Sequence, residues 1–306
     1  MPIFSVIIPT FNRAALVART LDSVLGQTMA DLEVIVVDDG STDSTADVIG
    51  KYGGKVKFLQ QKNRGPGAAR NVGLRAAVGE FAAFLDSDDL WFPWSAASYA
   101  QAIERHDPVF IAGKPLIFDG DSDSLPTASA AFQTEMFSDY YASGDQWRWY
   151  SASSFVMKRQ ALLDVGGFTD EWINAEDADA AMRMGVSGTF VQITSPATFA
   201  WRRHAGSAMS DGRRNYKGIV SLVEKEEAGQ FPGGKARAVE RRRIISRHVR
   251  PLSLDLLKTG GTSEAWEMYR RTFPWHVREG RWKYLAGFPL RAAAGMFQRG
   301  ERKNHA

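Results

Sequence analysis

The 306-residue chain contains no cysteine. Disulfides, thiolate metal centres and a cysteine nucleophile are therefore excluded. No uncharged apolar run reaches the roughly 18 residues that a membrane-spanning helix needs. No basic segment precedes an apolar core at the start, where Met1-Pro2-Ile3 leads directly into a strand pattern, so no secretory leader is expected. A glycine fingerprint is missing too. In a dinucleotide fold it follows the first strand and opens the first helix, but here that place is taken by Pro9-Thr10-Phe11-Asn12. The one Gly-rich stretch, Asn63-Arg64-Gly65-Pro66-Gly67-Ala68-Ala69-Arg70-Asn71, comes after the third strand and lacks the last glycine. It reads as a turn entering a helix, with Arg64 or Arg70 available to an anion. A nicotinamide or flavin cofactor is set aside, and a cytoplasmic globular protein is expected.

What is present is unevenly distributed. A net charge of +3 hides 21 Lys+Arg against 29 Asp+Glu in residues 1–230, and 17 against 6 in residues 231–306. Two functional regions are expected from that asymmetry.

The first half alternates strands with helices. Phe4 to Ile8 is a short apolar run stopped at Pro9, and Asn12 is expected to cap a helix whose stripe is Leu16, Leu21, Val24 and Leu25. Val34-Ile35-Val36-Val37 has the β-branched composition of a strand buried on both faces. Helices are expected from near Ser44, over Gly67–Ala77 and over Ser95–Arg105, with strands at Val56–Leu59 and Phe81–Leu85. This spacing predicts an α/β fold with a parallel sheet covered by helices, and such sheets bind ligands at the carboxyl ends of their strands. Thr10-Phe11-Asn12, Asp38-Asp39 and Asp86-Ser87-Asp88-Asp89 all fall at such ends.

The aspartate cluster at 86–89 carries the most information. Carboxylates gathered at the end of a buried strand need a cation, and a hard divalent metal such as Mg²⁺ or Mn²⁺ takes carboxylate oxygen together with substrate phosphate. An acidic turn capping the next helix is the plain alternative.

Six motifs in order extend the pattern: Val6 to Arg13, Val36 to Asp43, Asn63 to Asn71, Asp86 to Asp89, then Val165-Gly166-Gly167-Phe168 and Glu176-Asp177-Ala178-Asp179. With Arg202-Arg203-His204, Ser207 and Ser210 behind them, they resemble family 2 of the inverting, GT-A-fold glycosyltransferases over about residues 3–210. The resemblance implies a Rossmann-like, mostly parallel sheet flanked by helices in a catalytic domain over 1–230, with a donor half at 1–118 and an acceptor half at 119–230. A basic, mainly helical extension would occupy 231–306. It also implies metal-dependent transfer of a sugar from a nucleotide-sugar donor, a UDP-sugar first, to an acceptor hydroxyl in cell-surface polysaccharide or glycolipid assembly.

Roles carry over residue by residue. Pro9, Thr10, Phe11 and Asn12 would line the nucleotide pocket, Asp39 would accept the uracil N3 proton, and Arg70 would lie near the base or diphosphate. Asp86 would sit nearer the ribose, Asp88 would ligate Mn²⁺ or Mg²⁺ with Asp89 in support, and His204 would reach the metal or diphosphate. Asp177 matches the catalytic base at a helix start whose dipole keeps it ionised, with Glu176 orienting acceptor or sugar hydroxyls. Asp179-Ala180 departs from the family, where a bulky residue often follows. Trp172, with Trp147, Trp149 and Tyr150, is a candidate to stack on acceptor sugar rings, although aromatic residues more often build cores. Asp119 to Asp123 lacks the glycine and glutamate of a calcium loop and reads as a surface loop.

The basic tail interleaves Arg241-Arg242-Arg243, Arg247, Arg250, Arg278, Arg281 and Lys283 with Trp275, Trp282, Tyr284 and Phe288. No nucleic-acid recognition motif accompanies the charge. An anionic membrane surface with lipid-linked acceptors, or a face packed back on the catalytic domain, are its two readings. A nucleotidyltransferase and a non-catalytic sugar-binding module are the competing functions. The first normally signs its first loop with glycines, and the second needs no base at Asp177.

Overall fold

In a computed structural model the protein is described over residues 1–119, 125–126, 128–144, 151–203 and 211–304, with side chains up to residue 294. Strands β1 (Phe4–Thr10) and β2 (Leu32–Asp38) are parallel neighbours with Ile7 opposite Ile35 and Thr10 opposite Asp38. Every residue of β1 is buried, as a β-branched strand covered on both faces requires. Between them runs α1 (Val17–Leu25), which buries Val17, Thr20, Leu21 and Val24. Helix α2 (Thr45–Gly50), strand β3 (Lys57–Gln60), helix α3 (Pro66–Ala76), strand β4 (Phe81–Phe84) and helix α4 (Ser95–His106) continue the alternation.

Strands β5 (Leu90–Trp91), β6 (Phe110–Ala112), β7 (Pro115–Asp119), β8 (Gln133–Phe137), β9 (Phe155–Lys158), β10 (Phe190–Ser195) and β11 (Phe199–Arg203) complete two sheets. The large one has the order β3-β2-β1-β4-β9-β6-β10-β8, and the small one β5-β11-β7. The α/β fold with a mostly parallel sheet is as expected, with two antiparallel strands added. Strand β9 enters antiparallel between β4 and β6, and β8 is antiparallel to β10 at the edge. A four-residue strand such as Phe155-Val156-Met157-Lys158, with three apolar residues and a lysine, carries too little periodicity to announce its partner. Its placement matters, because the Ser-rich turn Ala152–Ser154 arrives beside the acidic end of β4.

One local expectation is corrected. Asn12 caps no helix: it takes a left-handed φ of 51°, its side chain accepts the Thr42 N–H at 2.8 Å, and α1 begins only at Val17. Helix α2 starts at Thr45, beside the expected Ser44, and its capping acceptor is Asp43, whose carboxylate takes the Thr45 N–H at 3.0 Å.

The chain divides into two units, the second containing α7 (Gly212–Glu227), α8 (Ala238–Thr259), α9 (Thr262–Arg278) and α10 (Trp282–Asn304). The charge boundary at residue 231 therefore falls inside the helical unit, after α7. The core of that unit is Leu256, Ala265, Tyr269, Leu285 and Phe288, with Tyr269 and Phe288 stacked at 4.4 Å between ring centroids. Trp275 and Phe288, expected as interfacial anchors, are buried, because the apolar stripes of these helices are used against one another. Trp282 stays 63% exposed. Arg241 is also buried, on Glu226 at 2.6 Å. No helix among the described residues is long and apolar enough to cross a membrane.

Candidate active site

The loop after β4 is held in place from behind. Ser153 Oγ accepts the Asp86 N–H at 3.0 Å and donates to Asp89 at 2.6 Å, while the other Asp89 oxygen accepts the Arg202 N–H at 3.0 Å. Burial first, then the charges of Asp88 and Asp86, push the Asp89 carboxyl well above the usual carboxylate range. Asp89 is thus an internal brace, and the carboxylates turned to the site are Asp86 and Asp88. Nε of Arg13 lies 3.3 Å from Asp88.

Arg70, on α3, has only 3% of its surface exposed. It donates to Asp86 through one terminal nitrogen and to Glu176 through the other, both at 2.6 Å, and its guanidinium lies 5.4 Å from the Phe168 ring centroid. Burial opposes that charge, but the two carboxylates outweigh it and hold Arg70 protonated. Arg70 thus clamps the β4 loop to α6 (Glu176–Arg183), the helix that follows α5 (Arg159–Asp164). Asp177 follows Glu176 in the first turn of α6, with one oxygen on the Ala178 N–H at 2.7 Å. Its carboxyl is pushed up to about 7 by burial and then by the Glu176 charge, against a downward pull from Arg70. Such a group ionises near neutrality, as a general base must. Ala175, immediately before the pair, is held at φ 71°, a left-handed conformation uncommon for alanine.

The glycines earlier in the chain serve this assembly. A Cβ at Gly67 would lie 2.3 Å from the Thr169 carbonyl oxygen, so α3 can approach the 168–172 segment only without a side chain there. The Trp172 ring packs across Gly65 and is 42% exposed. Asn71 donates to Phe168 O at 2.8 Å and to Asp170 at 2.9 Å, and accepts the Phe168 N–H. Arg64 pairs with Asp170 at 2.9 Å. At the other end of the segment, Gly166 and Gly167 take φ of 86° and 70°, which lets Arg183 donate to the carbonyls of Val165 and Gly167 while paired with Asp179.

On the β1–β2 side, Asp39 accepts the Gln61 amide at 2.6 Å and the Arg64 and Gly65 N–H groups at 2.9 and 2.7 Å. A carboxylate offers about four acceptor sites, so one is left for a ligand donor. Thr10 passes its carbonyl to the Asp39 N–H at 2.8 Å, and its buried hydroxyl has no partner among the described residues. Pro9 continues the β1 ladder opposite Val37, and Phe11 is exposed.

The structure thus brings Asp86, Asp88, Arg70, Glu176 and Asp177 together, with Thr10, Asn12 and Asp39 at the adjoining strand ends. His204, Ser207, Ser210, Trp147, Trp149 and Tyr150 lie outside the described residues. Asp119 and Arg203 form a bidentate pair at 2.8 and 2.6 Å, while Arg202 stacks on Phe118. Ser153, Asn71, Arg13 and the Asp179–Arg183 pair were missed. Arg13 and Asn71 close the motifs Val6 to Arg13 and Asn63 to Asn71, whereas Ser153 leaves no signal in a serine-rich turn. Among the described residues no three His, Cys, Asp or Glu are arranged to hold a metal. A Mg²⁺ or Mn²⁺ ion that uses one or two carboxylates and completes its shell with phosphate oxygen needs no such trio, and the oxygen donors at Asp86 and Asp88 fit it.

A mostly parallel sheet with aspartates at the end of its fourth strand, faced by an acidic helix start, has the architecture of the GT-A nucleotide-sugar transferases. The profile of "Glycosyl transferase family 2" matches residues 5–166, more than half of the chain, and the chain belongs to that family. An uncharacterized glycosyltransferase of Nostoc sp. is 35% identical over 168 residues, covering 53% of this chain and 52% of the relative. The poly(ribitol-phosphate) beta-N-acetylglucosaminyltransferase TarS of Staphylococcus aureus is 31% identical over 218 residues, 68% of this chain and 37% of TarS. The chain spans about half the length of the first of these relatives and less of the second. Crystalline TarS 1–349 in complex with UDP-GlcNAc superposes with a TM-score of 0.58 at 20% identity, covering 92% of both chains. A mannosyltransferase of Pyrobaculum calidifontis, in complex with GDP-Man and Mn²⁺, gives 0.54 at 17% identity over 96% of this chain and 86% of its own.

Proposed function

We propose that the protein is a metal-dependent inverting glycosyltransferase that moves a sugar, of the hexosyl or N-acetylhexosaminyl type, from a UDP-sugar to an acceptor hydroxyl. The observation that carries this reading is the Asp86–Arg70–Glu176 bridge, which ties a donor-side acidic turn to a helix start bearing a carboxyl poised near neutrality. Asp177 accepts the acceptor's hydroxyl proton as that oxygen attacks the anomeric carbon from the face opposite the leaving group. The bond from that carbon to the diphosphate oxygen breaks, its electron pair leaves with the nucleotide, and the configuration inverts. Glu176 orients hydroxyls, and Asp39 accepts a hydrogen bond from the uracil N3–H on its remaining acceptor site. Trp172 lines the acceptor side. Asp88, with His204, would hold Mn²⁺ or Mg²⁺, which when bound neutralises charge on the departing diphosphate, and Asp86 lies nearer the ribose.

Family membership supports the transfer chemistry, and the UDP-GlcNAc held by the TarS fragment supports the donor. The acceptor is a carbohydrate or lipid-linked hydroxyl in surface-polymer or glycolipid assembly, met at the cytoplasmic face by the basic helical unit.

The deciding experiment incubates the protein with UDP-, GDP- and dTDP-sugars plus Mn²⁺ or Mg²⁺ and follows nucleoside diphosphate release. Turnover of a UDP-sugar that stops on chelation is the expected result. Release of pyrophosphate in place of nucleoside diphosphate would mean a nucleotidyltransferase, and binding without turnover a non-catalytic module.

A further inference from the structure

Arg13 is a cation at the strand ends, beside the acidic turn after β4, whose placement the proposed chemistry leaves unused. Its loop is stitched to the loop after β2 through the main chain: the Arg13 N–H donates to Thr45 Oγ1 at 2.9 Å, and the Asn12 N–H donates to Ser41 Oγ at 2.9 Å. Asn12 completes the stitch by accepting the Thr42 N–H. From that fixed base the guanidinium crosses the end of β1 to Asp88, Nε to Oδ2 at 3.3 Å.

The two arginines at the acidic turn are held very differently. Arg70 is buried and locked at 2.6 Å to each of two carboxylates, so it cannot leave without stranding charge. Arg13 meets Asp88 at a longer 3.3 Å, with 25% and 18% of the two side chains exposed. Hydration is available to both partners when they separate, so this contact is exchangeable. It also falls on the carboxylate assigned to the metal.

Resting on that assignment, we propose that Arg13 is a built-in counter-cation for Asp88: it screens the carboxylate in the donor-free protein, yields it to a divalent ion arriving with the nucleoside diphosphate, and then turns to the diphosphate oxygens. Two opposite consequences follow. Metal alone must displace a guanidinium and binds weakly, whereas metal with nucleotide supplies Arg13 with a new anion at a planar fork suited to phosphate. The site therefore loads metal and donor together.

The test is Mn²⁺ binding, read as the free-ion electron paramagnetic resonance signal, with and without UDP. In Arg13→Gln the Kd for Mn²⁺ alone should fall five- to tenfold, while the Kd for UDP at saturating Mn²⁺, measured by calorimetry, should rise five- to tenfold. Arg13→Lys keeps the charge and should bind Mn²⁺ alone like the wild type. Both variants retain the main-chain stitch and should keep the wild-type melting profile. An unchanged or weaker Mn²⁺ affinity in Arg13→Gln overturns the counter-cation role while leaving the metal assignment standing. If the wild type takes up no Mn²⁺ even with UDP, and Asp88→Asn changes neither titration, the metal assignment itself falls and this role with it.

Discussion

The two units bury the same kind of ion pair for different ends. In the sheet unit Arg70 is enclosed, but its partners Asp86 and Glu176 keep 29% and 11% of their side chains open. In the helical unit Arg241 and Glu226 are both enclosed, at 3% and 0%, and Arg241 spends its remaining donors on the carbonyls of Pro232 and Gly234. Chemistry alone does not separate them, since each is an arginine on a carboxylate at 2.6 Å. Position does. The first pair stands where strands end and backbone groups must find partners outside the sheet, and the second lies between helices that satisfy one another. A buried arginine–carboxylate pair becomes part of a site only when a carboxylate keeps a face for a ligand.

The sharpest way to break this contrast is at Asp177. Asp177→Asn is nearly isosteric, so UDP affinity should persist while turnover falls by roughly 10²–10⁴. A variant that keeps most of its activity would reduce α6 to an ordinary acidic helix start.

Next in size are the two arginines. Arg70→Met removes the cation shared by Asp86 and Glu176 and should cost about 3–5 kcal/mol, read by urea denaturation. Arg241→Met should cost less, because Glu226 keeps Arg242 at 3.0 Å. Only Arg70→Met should also lower UDP affinity in protein that remains folded. Loss of UDP binding in folded Arg241→Met would erase the distinction between a bracing pair and a site pair.

The pH response sharpens it further. Asp177 must be ionised to accept a proton, so kcat/KM should rise about tenfold per unit below an apparent pKa near 7 and level above it. The stability effect has the opposite sense. A carboxyl raised from 3.8 to about 7 by folding contributes stability that is complete below about 3.8 and lost as pH rises through about 7. Asp177→Asn should remove that slope and raise the melting temperature at pH 8, a gain of ~1–3 kcal/mol. A wild-type melting curve independent of pH between 4 and 8 would count against a raised Asp177.

The smallest effect is expected at the helical surface. Trp282 and Leu290 are 63% and 72% exposed on α10, with Lys283 and Arg291 exposed beside them. Each basic side chain near an anionic bilayer contributes about 1 kcal/mol. Lys283→Glu should weaken co-sedimentation with anionic vesicles at low salt by about fivefold or more, and Trp275→Phe, at a buried position, should not. Full-length protein that ignores such vesicles would leave the helical unit a purely structural partner.

Two kinds of information divide between chain and fold. The sheet strands of the first half, the helices between them and the polar clusters at strand ends were legible because burial on both faces imposes unbroken β-branched runs, and Asp38-Asp39 and Asp86 to Asp89 interrupt those runs visibly. The basic character of the last 76 residues was equally plain in composition. Which side chain meets which was not legible. Arg70 and Glu176 are 106 positions apart, and only the fold, which brings α3 to the start of α6, makes them partners. Likewise β9 had to slip antiparallel beside β4 before Ser153 could brace Asp86 and Asp89. The same limit misjudged Trp275 and Phe288, because an apolar stripe reads identically whether a lipid or a neighbouring helix will cover it. Local patterning is a property of consecutive residues and survives in one dimension. Pairing, burial of a charge and the resulting rise in the Asp177 pKa depend on distances that the chain acquires only when folding closes its long loops.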